Sequence, residues 1–320
     1  MSKTKKKNVK FSDVFRYSLK QLTNRLDFSN YSHSLWQHRM KQYALLMRVD
    51  KPIGTLLLLW PTLWALWLAS DGVPKISHLV IFCCGVFLMR SAGCVINDYA
   101  DRNIDGKVSR TKERPLAVKR VTEKEALMLF IVLALLAFIL VLMLNQLAVI
   151  LSFIALAIAT IYPFMKRITY FPQVILGMAF SMAIPMAFAA VQNQIPMTAW
   201  LLYVANLLWV LAYDTLYGMV DKKDDLKIGV KSTAIFFGEA DLQITAIVQS
   251  MFIFGMLLVG IQYDLNYFFY LGILVAISLI AWQVYYCQNR VPAKCFKAFL
   301  NNNWVGLSIF VGIVLSLYTR

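Results

Sequence analysis

The strongest constraint in this 320-residue chain is the recurrence of apolar stretches about as long as a bilayer is thick. A hydrocarbon core of about 30 Å needs about 20 apolar residues per helix. Such stretches occur at residues 52–70, 76–96, 125–143, 146–163, 173–191, 197–217, 242–260, 265–286 and 302–319. They are continuous and not alternating, which argues against the strands of a membrane barrel. Hydrophobic residues make up 59% of the chain and charged residues only 15%, outside the usual range of soluble domains. The expected fold is an all-α membrane protein, a bundle of about nine transmembrane helices.

Charge orients the bundle, because Lys and Arg near helix ends are retained on the cytoplasmic side. Of 32 basic residues, 29 lie in the first 51 positions or in the loops that follow the second, fourth, sixth and eighth stretches. The exceptions are Lys75, Arg90 and Arg320. The N-terminus and every even-numbered exit are therefore expected on the cytoplasmic side, and topology accounts for the net charge of +15. A nucleic-acid partner is not expected, since no folded basic domain is left to bind one.

Residues 1–45 read as a separate region and residues 46–320 as the transmembrane domain. The opening "MSKTKKKNVK" is Lys-rich and has no apolar core ahead of a cleavage site, so it reads as a disordered polybasic tail and not as a secretory signal. It also lacks the Arg- and Ser-rich pattern of a transit peptide, which favours a bacterial inner membrane over a mitochondrion. Trp36, Met40, Tyr43, Leu46 and Met47 recur at roughly helical spacing, as in an amphipathic helix lying at an anionic lipid surface.

Several chemistries lack their residues. The five cysteines form no zinc or redox spacing, and the three histidines fall away from the acidic segments. No phosphate-binding or dinucleotide-binding glycine motif is present.

Oxygen chemistry remains, in two places. The run "NDYADRNID" follows the second apolar stretch, and if that helix continues, Asn97, Asp101 and Asp105 fall at i, i+4 and i+8, with Asp98 beside them. Four stretches later, "DTLYGMVDKKDD" repeats the pattern with Asp214, Tyr217, Asp221 and Asp225. Together with Asp224, these segments hold seven of the 17 acidic residues. Like charges at such spacing repel unless basic neighbours or a divalent cation offset them, and carboxylate oxygens suit Mg2+ completed by water and substrate phosphate. Two such clusters on one membrane face are suited to clamping a diphosphate. A solvated acidic helix end is the plainer reading of either cluster taken alone.

"NDYADRNID" and "DKKDD" resemble the two aspartate motifs of the UbiA superfamily of intramembrane aromatic prenyltransferases. "MRVDKPIGTLLLLWPTLWAL", "RSAGCVINDYADRNIDGKVSRTKERPLA" and "YPFMKRITYFPQVILG" are similar to the branch of that superfamily that prenylates 4-hydroxybenzoate. The resemblance runs from about residue 43 to the end of the chain.

The resemblance implies Mg2+-dependent joining of a polyprenyl diphosphate to the ring carbon ortho to the phenol of 4-hydroxybenzoate, with release of diphosphate. On this reading Asn97, Asp101 and Asp105 hold one Mg2+ and Asp221 with Asp225 the other, while Asp98 and Asp224 support them from behind. Arg90, an arginine inside an apolar stretch and seven residues before Asn97, is expected on the diphosphate unless it snorkels to the interface. Lys166 and Arg167 either mark topology or bind substrate. Arg167 is the expected partner of the benzoate carboxylate, because a guanidinium meets a carboxylate at two points, and Arg48 stands next in line. Asp214 and Tyr217 would orient the phenol or accept a proton, although Tyr217 also suits plain packing. Family members with haem, menaquinone or chlorophyll-pathway acceptors share the aspartate motifs. A secondary transporter is the alternative from another class, but its carboxylates belong near the membrane midplane.

Overall fold

The computed structural model of the protein describes the backbone of residues 28–320 and side chains from residue 36 onward. Most of the expected basic tail therefore lies outside the described residues. Helix α1 (Phe28–Leu46) straddles the division between two compact units, and the second unit, Leu45–Arg320, carries all that follows.

Among the described residues there is no strand, and nine helical segments are long and apolar enough to cross a bilayer. They comprise α2 (Ile53–Ser70), α3 (Ile76–Asp101), α4 (Glu123–Val141), α5 (Gln146–Met165), the pair α6 (Pro172–Ser181) and α7 (Ala183–Gln192), and α8 (Met197–Ile228). After the four-residue helix α9 (Thr233–Phe236) come α10 (Asp241–Gln262), α11 (Tyr267–Tyr286) and α12 (Pro292–Tyr318).

Local chemistry explains where these helices start, break and stop. Thr122 opens α4 with a capping box, accepting from the Glu125 N–H while Glu125 reaches back to the Thr122 N–H. That cap starts the helix two residues ahead of the apolar run. The fifth span breaks at Met182 because Pro185 has no N–H for the Ser181 carbonyl. Helix α8 outruns its apolar stretch by eleven residues and ends at Gly229, whose φ of +74° favours glycine and whose N–H caps the Asp225 carbonyl. Helix α12 begins at Pro292, ten residues before its apolar stretch, so Lys294 and Lys297 belong to a helix and not to a loop.

The core sits where α2, α8, α10 and α12 meet. Trp64, Trp209 and Phe252 are fully buried there, with ring centroids 5.3 Å apart for the two indoles and 5.6 Å for Trp209 and Phe252. Each indole N–H is satisfied, Trp64 by the Gly306 carbonyl at 3.1 Å and Trp209 by Asn302 Oδ1 at 3.0 Å. Gly306 permits this approach, since a Cβ there would meet Trp60 at 2.4 Å and Trp209 at 2.9 Å. Helices α4 and α5 instead expose rows of apolar side chains, among them Met128, Ile131, Leu135, Ile139, Ile150 and Phe153. A surface of that kind suits hydrocarbon and not water.

Candidate active site

Helices α3 and α8 both bring their acidic C-terminal turns to the same end of the bundle. Across that end, Arg110 donates from Nε to Asp221 Oδ1 at 3.0 Å and from Nη2 to Oδ2, and the Ser109 N–H donates to Asp224. The segment after α5 joins them. The Lys166 carbonyl accepts from the Lys231 N–H at 3.0 Å, and the Lys166 ammonium pairs with Asp101.

The first acidic row departs from the expected geometry. Helix α3 ends at Asp101, so Asp105 does not continue its face at i+8. A short 3-10 turn at Asp105–Lys107 carries Asp105 inward instead, and Thr111 Oγ1 fixes its carbonyl at 2.9 Å. Asp98, Asp101 and Asp105 are all buried. Arg48 Nη2 reaches both Asp98 oxygens at 2.9 and 2.8 Å, while Arg114 Nη1 lies 3.0 Å from Asp98 and 2.9–3.0 Å from both oxygens of Asp105. Burial works against the charges of Arg110 and Arg114. Asp221 beside the first, and Asp98 and Asp105 beside the second, outweigh it, so both guanidinium groups are held above the ordinary arginine pKa.

Between the helices opens one large cavity of about 1120 Å³. Asn97, Asp98, Asp101, Asp105, Asp214, Tyr217, Asp221 and Asp225 line it, with Arg48, Arg90, Arg110, Arg114 and Lys166. Beyond the charged groups its wall is mostly apolar, including Val86, Met89, Ala137, Leu140, Leu144, Ala159 and Met186. Arg90 and Asn97 are seven residues apart on α3, so Arg90 sits about 10 Å deeper along the helix. Among the described residues Arg90 makes no ion pair. Its guanidinium carbon lies 6.0 Å from the Phe180 ring, within electrostatic reach of Asp214, Tyr162, Tyr213 and Tyr217.

Most of the residues singled out in the sequence thus converge on one cavity, and two do not. Arg167 is exposed, donates to the Ala100 carbonyl and does not line the cavity. Asp224 lies outside the wall, with Ser109 and Lys227 as its partners. Tyr217 has a packing role, 4.8 Å from the Phe299 ring, and also carries the Arg110 guanidinium 4.5 Å above its own ring. The sequence reading missed Arg110 and Arg114. Their signal was the stretch "SRTKERPLA", three basic residues in the long loop that follows the first acidic run.

The donor set fits Mg2+. One oxygen of Asp101, Oδ1, is buried without a partner, beside the Asn97 amide, whose Nδ2 is 3.4 Å from Oδ2. No group of three or more His, Cys, Asp or Glu converges among the described residues. Mg2+ is ordinarily held by one or two carboxylates and completed by water and phosphate, and Asp101 and Asp105 are carboxylates of that kind on the cavity wall.

Comparison with known proteins agrees with the geometry. The UbiA prenyltransferase family matches residues 58–307. The 4-hydroxybenzoate octaprenyltransferase of Stutzerimonas stutzeri (strain A1501) is 56% identical over 282 residues, covering 88% of this chain and 95% of that protein. The protein of the same name from Escherichia fergusonii is 55% identical over 285 residues, covering 89% and 98%. Among solved structures, a UbiA homologue from Aeropyrum pernix K1 superposes with a TM-score of 0.73 at 25% identity, over 84% of this chain and 98% of that one. A homologue from Archaeoglobus fulgidus, bound to GPP and Mg2+, shares the fold with a TM-score of 0.66 at 16% identity, over 87% and 100%. From the matched span and these near-full-length relatives, the chain belongs to the UbiA prenyltransferase family.

Proposed function

We propose that the protein transfers a polyprenyl chain from its diphosphate to the carbon of 4-hydroxybenzoate ortho to the phenol, the prenylation step of ubiquinone biosynthesis. The observation that carries this reading is the layered cavity, with two acidic rows and their cations at the mouth, an apolar wall behind, and about 10 Å deeper an arginine that forms no ion pair among the described residues. The relatives' names supply the substrate pair, and an octaprenyl donor follows from the same names.

In the reaction the allylic C–O bond of the donor breaks with its electrons going to the diphosphate. The ring carbon then forms the new C–C bond and loses its proton. Mg2+, when bound, neutralises charge building on the departing diphosphate. Asn97, Asp101 and Asp105 are the residues to hold one ion, and Asp221 with Asp225 the other. Arg110, Arg114 and Lys166 stand beside them as donors to the diphosphate oxygens. The apolar wall accommodates the tail and keeps water from the allylic cation. Asp214, on the same wall and within electrostatic reach of Arg90, serves as the group that orients the phenol or receives the ring proton.

The acceptor carboxylate belongs with Arg90. Arg167 lies outside the wall, and Arg48 is committed to both oxygens of Asp98. Among the described residues Arg90 forms no ion pair, Asp214 acting on it only from a distance, and its depth leaves the ring between the carboxylate and the diphosphate. We place the cavity mouth on the cytoplasmic side of a bacterial inner membrane, a reading supported by the basic residues gathered at that end. Saturation curves for both substrates test the assignment. Arg90→Ala should raise KM for 4-hydroxybenzoate about tenfold or more, the loss of a charge-assisted contact of roughly 1.5–3 kcal/mol, and leave KM for the diphosphate within about twofold. The opposite pattern returns Arg90 to the diphosphate.

A further inference from the structure

Of the fourteen glycines, Gly54 is the one whose absent side chain makes room for a charged group. It lies in the first turn of α2, on the cavity wall. A Cβ built there would stand 2.4 Å from Nη2, 2.6 Å from Nε and 2.9 Å from Cζ of Arg90. Its backbone is not in the left-handed region, so conformation does not demand a glycine here. The space that Gly54 leaves is filled by the guanidinium, the far end of a flexible side chain that a methyl group would push aside. The other tightly enclosed glycines, such as Gly306, Gly272 and Gly312, admit rings or neighbouring backbone and account for helix packing.

The Arg90 guanidinium occupies that space. Its stem rises from α3, its guanidinium lies over Gly54 of α2, and Phe180 of α6 is 6.0 Å from its centre. No carboxylate among the described residues forms an ion pair with it. We infer that Gly54 is a positioning residue for acceptor recognition: it leaves the gap in which the Arg90 guanidinium lies, and thereby sets the fork at the angle that meets the acceptor carboxylate. The inference rests on the assignment of Arg90 to that carboxylate. A methyl group at position 54 displaces the guanidinium by about 1 Å, and two-point recognition is sensitive to shifts of that size.

The test is a double-mutant cycle on the full-length protein in lipid nanodiscs, with saturation curves for 4-hydroxybenzoate and for the polyprenyl diphosphate. Gly54→Ala should raise KM for 4-hydroxybenzoate about tenfold and leave KM for the diphosphate within about twofold. In an Arg90→Ala background, adding Gly54→Ala should change KM for 4-hydroxybenzoate less than about twofold, because the group it acts through is gone. An additive effect of Gly54→Ala in that background overturns the inference, as does an unchanged KM in Gly54→Ala alone. If Gly54→Ala does not accumulate, the double variant decides: normal accumulation when Arg90 is also removed supports the clash, and continued failure assigns Gly54 to helix packing. If Arg90→Ala by itself leaves the acceptor KM unchanged, the carboxylate assignment is what has failed.

Discussion

Arg110 and Asp221, 111 residues apart in the chain, close the two acidic segments on each other. The guanidinium meets the carboxylate at two points, Nε to Oδ1 at 3.0 Å and Nη2 to Oδ2, and rests 4.5 Å above the Tyr217 ring. A loop that follows α3 is thereby latched onto α8, with the guanidinium offsetting the Asp221 carboxylate.

Removing that latch should weaken binding of the diphosphate substrate selectively. Arg110→Ala is expected to raise KM for the polyprenyl diphosphate about tenfold, the lower end of roughly 1.5–3 kcal/mol for a charge-assisted contact, because a third of the side chain is exposed and screened. KM for 4-hydroxybenzoate should stay nearly flat. Lysine at this position should recover part of the loss, since an ammonium keeps the charge but not the fork. Saturation curves that move for the acceptor instead would detach Arg110 from the diphosphate.

The carboxylates that face the cavity should matter more. Asp101→Ala and Asp221→Ala are each expected to cut turnover by at least two orders of magnitude, about 2.7 kcal/mol of barrier, and to weaken Mn2+ binding followed by electron paramagnetic resonance. A variant that keeps more than a tenth of wild-type turnover leaves the set of metal-holding residues.

Stability should fail elsewhere. Gly306→Ala places a methyl group 2.4 Å from Trp60 and 2.9 Å from Trp209, and overpacking of this kind costs about 1–3 kcal/mol. Thermal unfolding in detergent should fall by several degrees, while both KM values in the folded fraction hold. A midpoint equal to the wild type would mean that α12 has room to withdraw.

The bundle was largely legible because hydrophobicity is local: each of the nine apolar stretches is a helical span in the structure. Helix ends were not, where they run past the apolar limit. Helix α8 continues through Asp221 and Asp225 to Gly229, and α12 begins at Pro292, because polar turns of a helix at the bilayer edge carry no hydrophobic signal. The break at Met182 was visible only as Pro185, which a window of apolar residues passes over. In the site, the spacing of Asp214, Tyr217, Asp221 and Asp225 survived because all four share one helix. The spacing of Asp105 did not, because α3 stops at Asp101. Pairs such as Arg48 with Asp98 and Lys166 with Asp101 join residues 50 and 65 apart, and no local pattern encodes them. For the same reason the choice between the neighbours Lys166 and Arg167 was not readable from a loop.

Orientation has its own test. A cysteine at Lys112 or Lys227 should react with an impermeant thiol reagent from the cytoplasmic side only, and one at Gln194, in the turn between α7 and α8, from the opposite side. Labelling of positions 112 and 194 from the same face would contradict the arrangement of spans.

Carbon prenylation in this cavity is tested with the purified protein in nanodiscs given ring-labelled 4-hydroxybenzoate, octaprenyl diphosphate and Mg2+, with the product identified by mass spectrometry and NMR. The expected result is one product carrying the prenyl chain on the carbon ortho to the phenol, stoichiometric diphosphate, and loss of both with EDTA or in Asp221→Ala. No labelled product, an ether at the phenol oxygen, or full turnover in EDTA would contradict it.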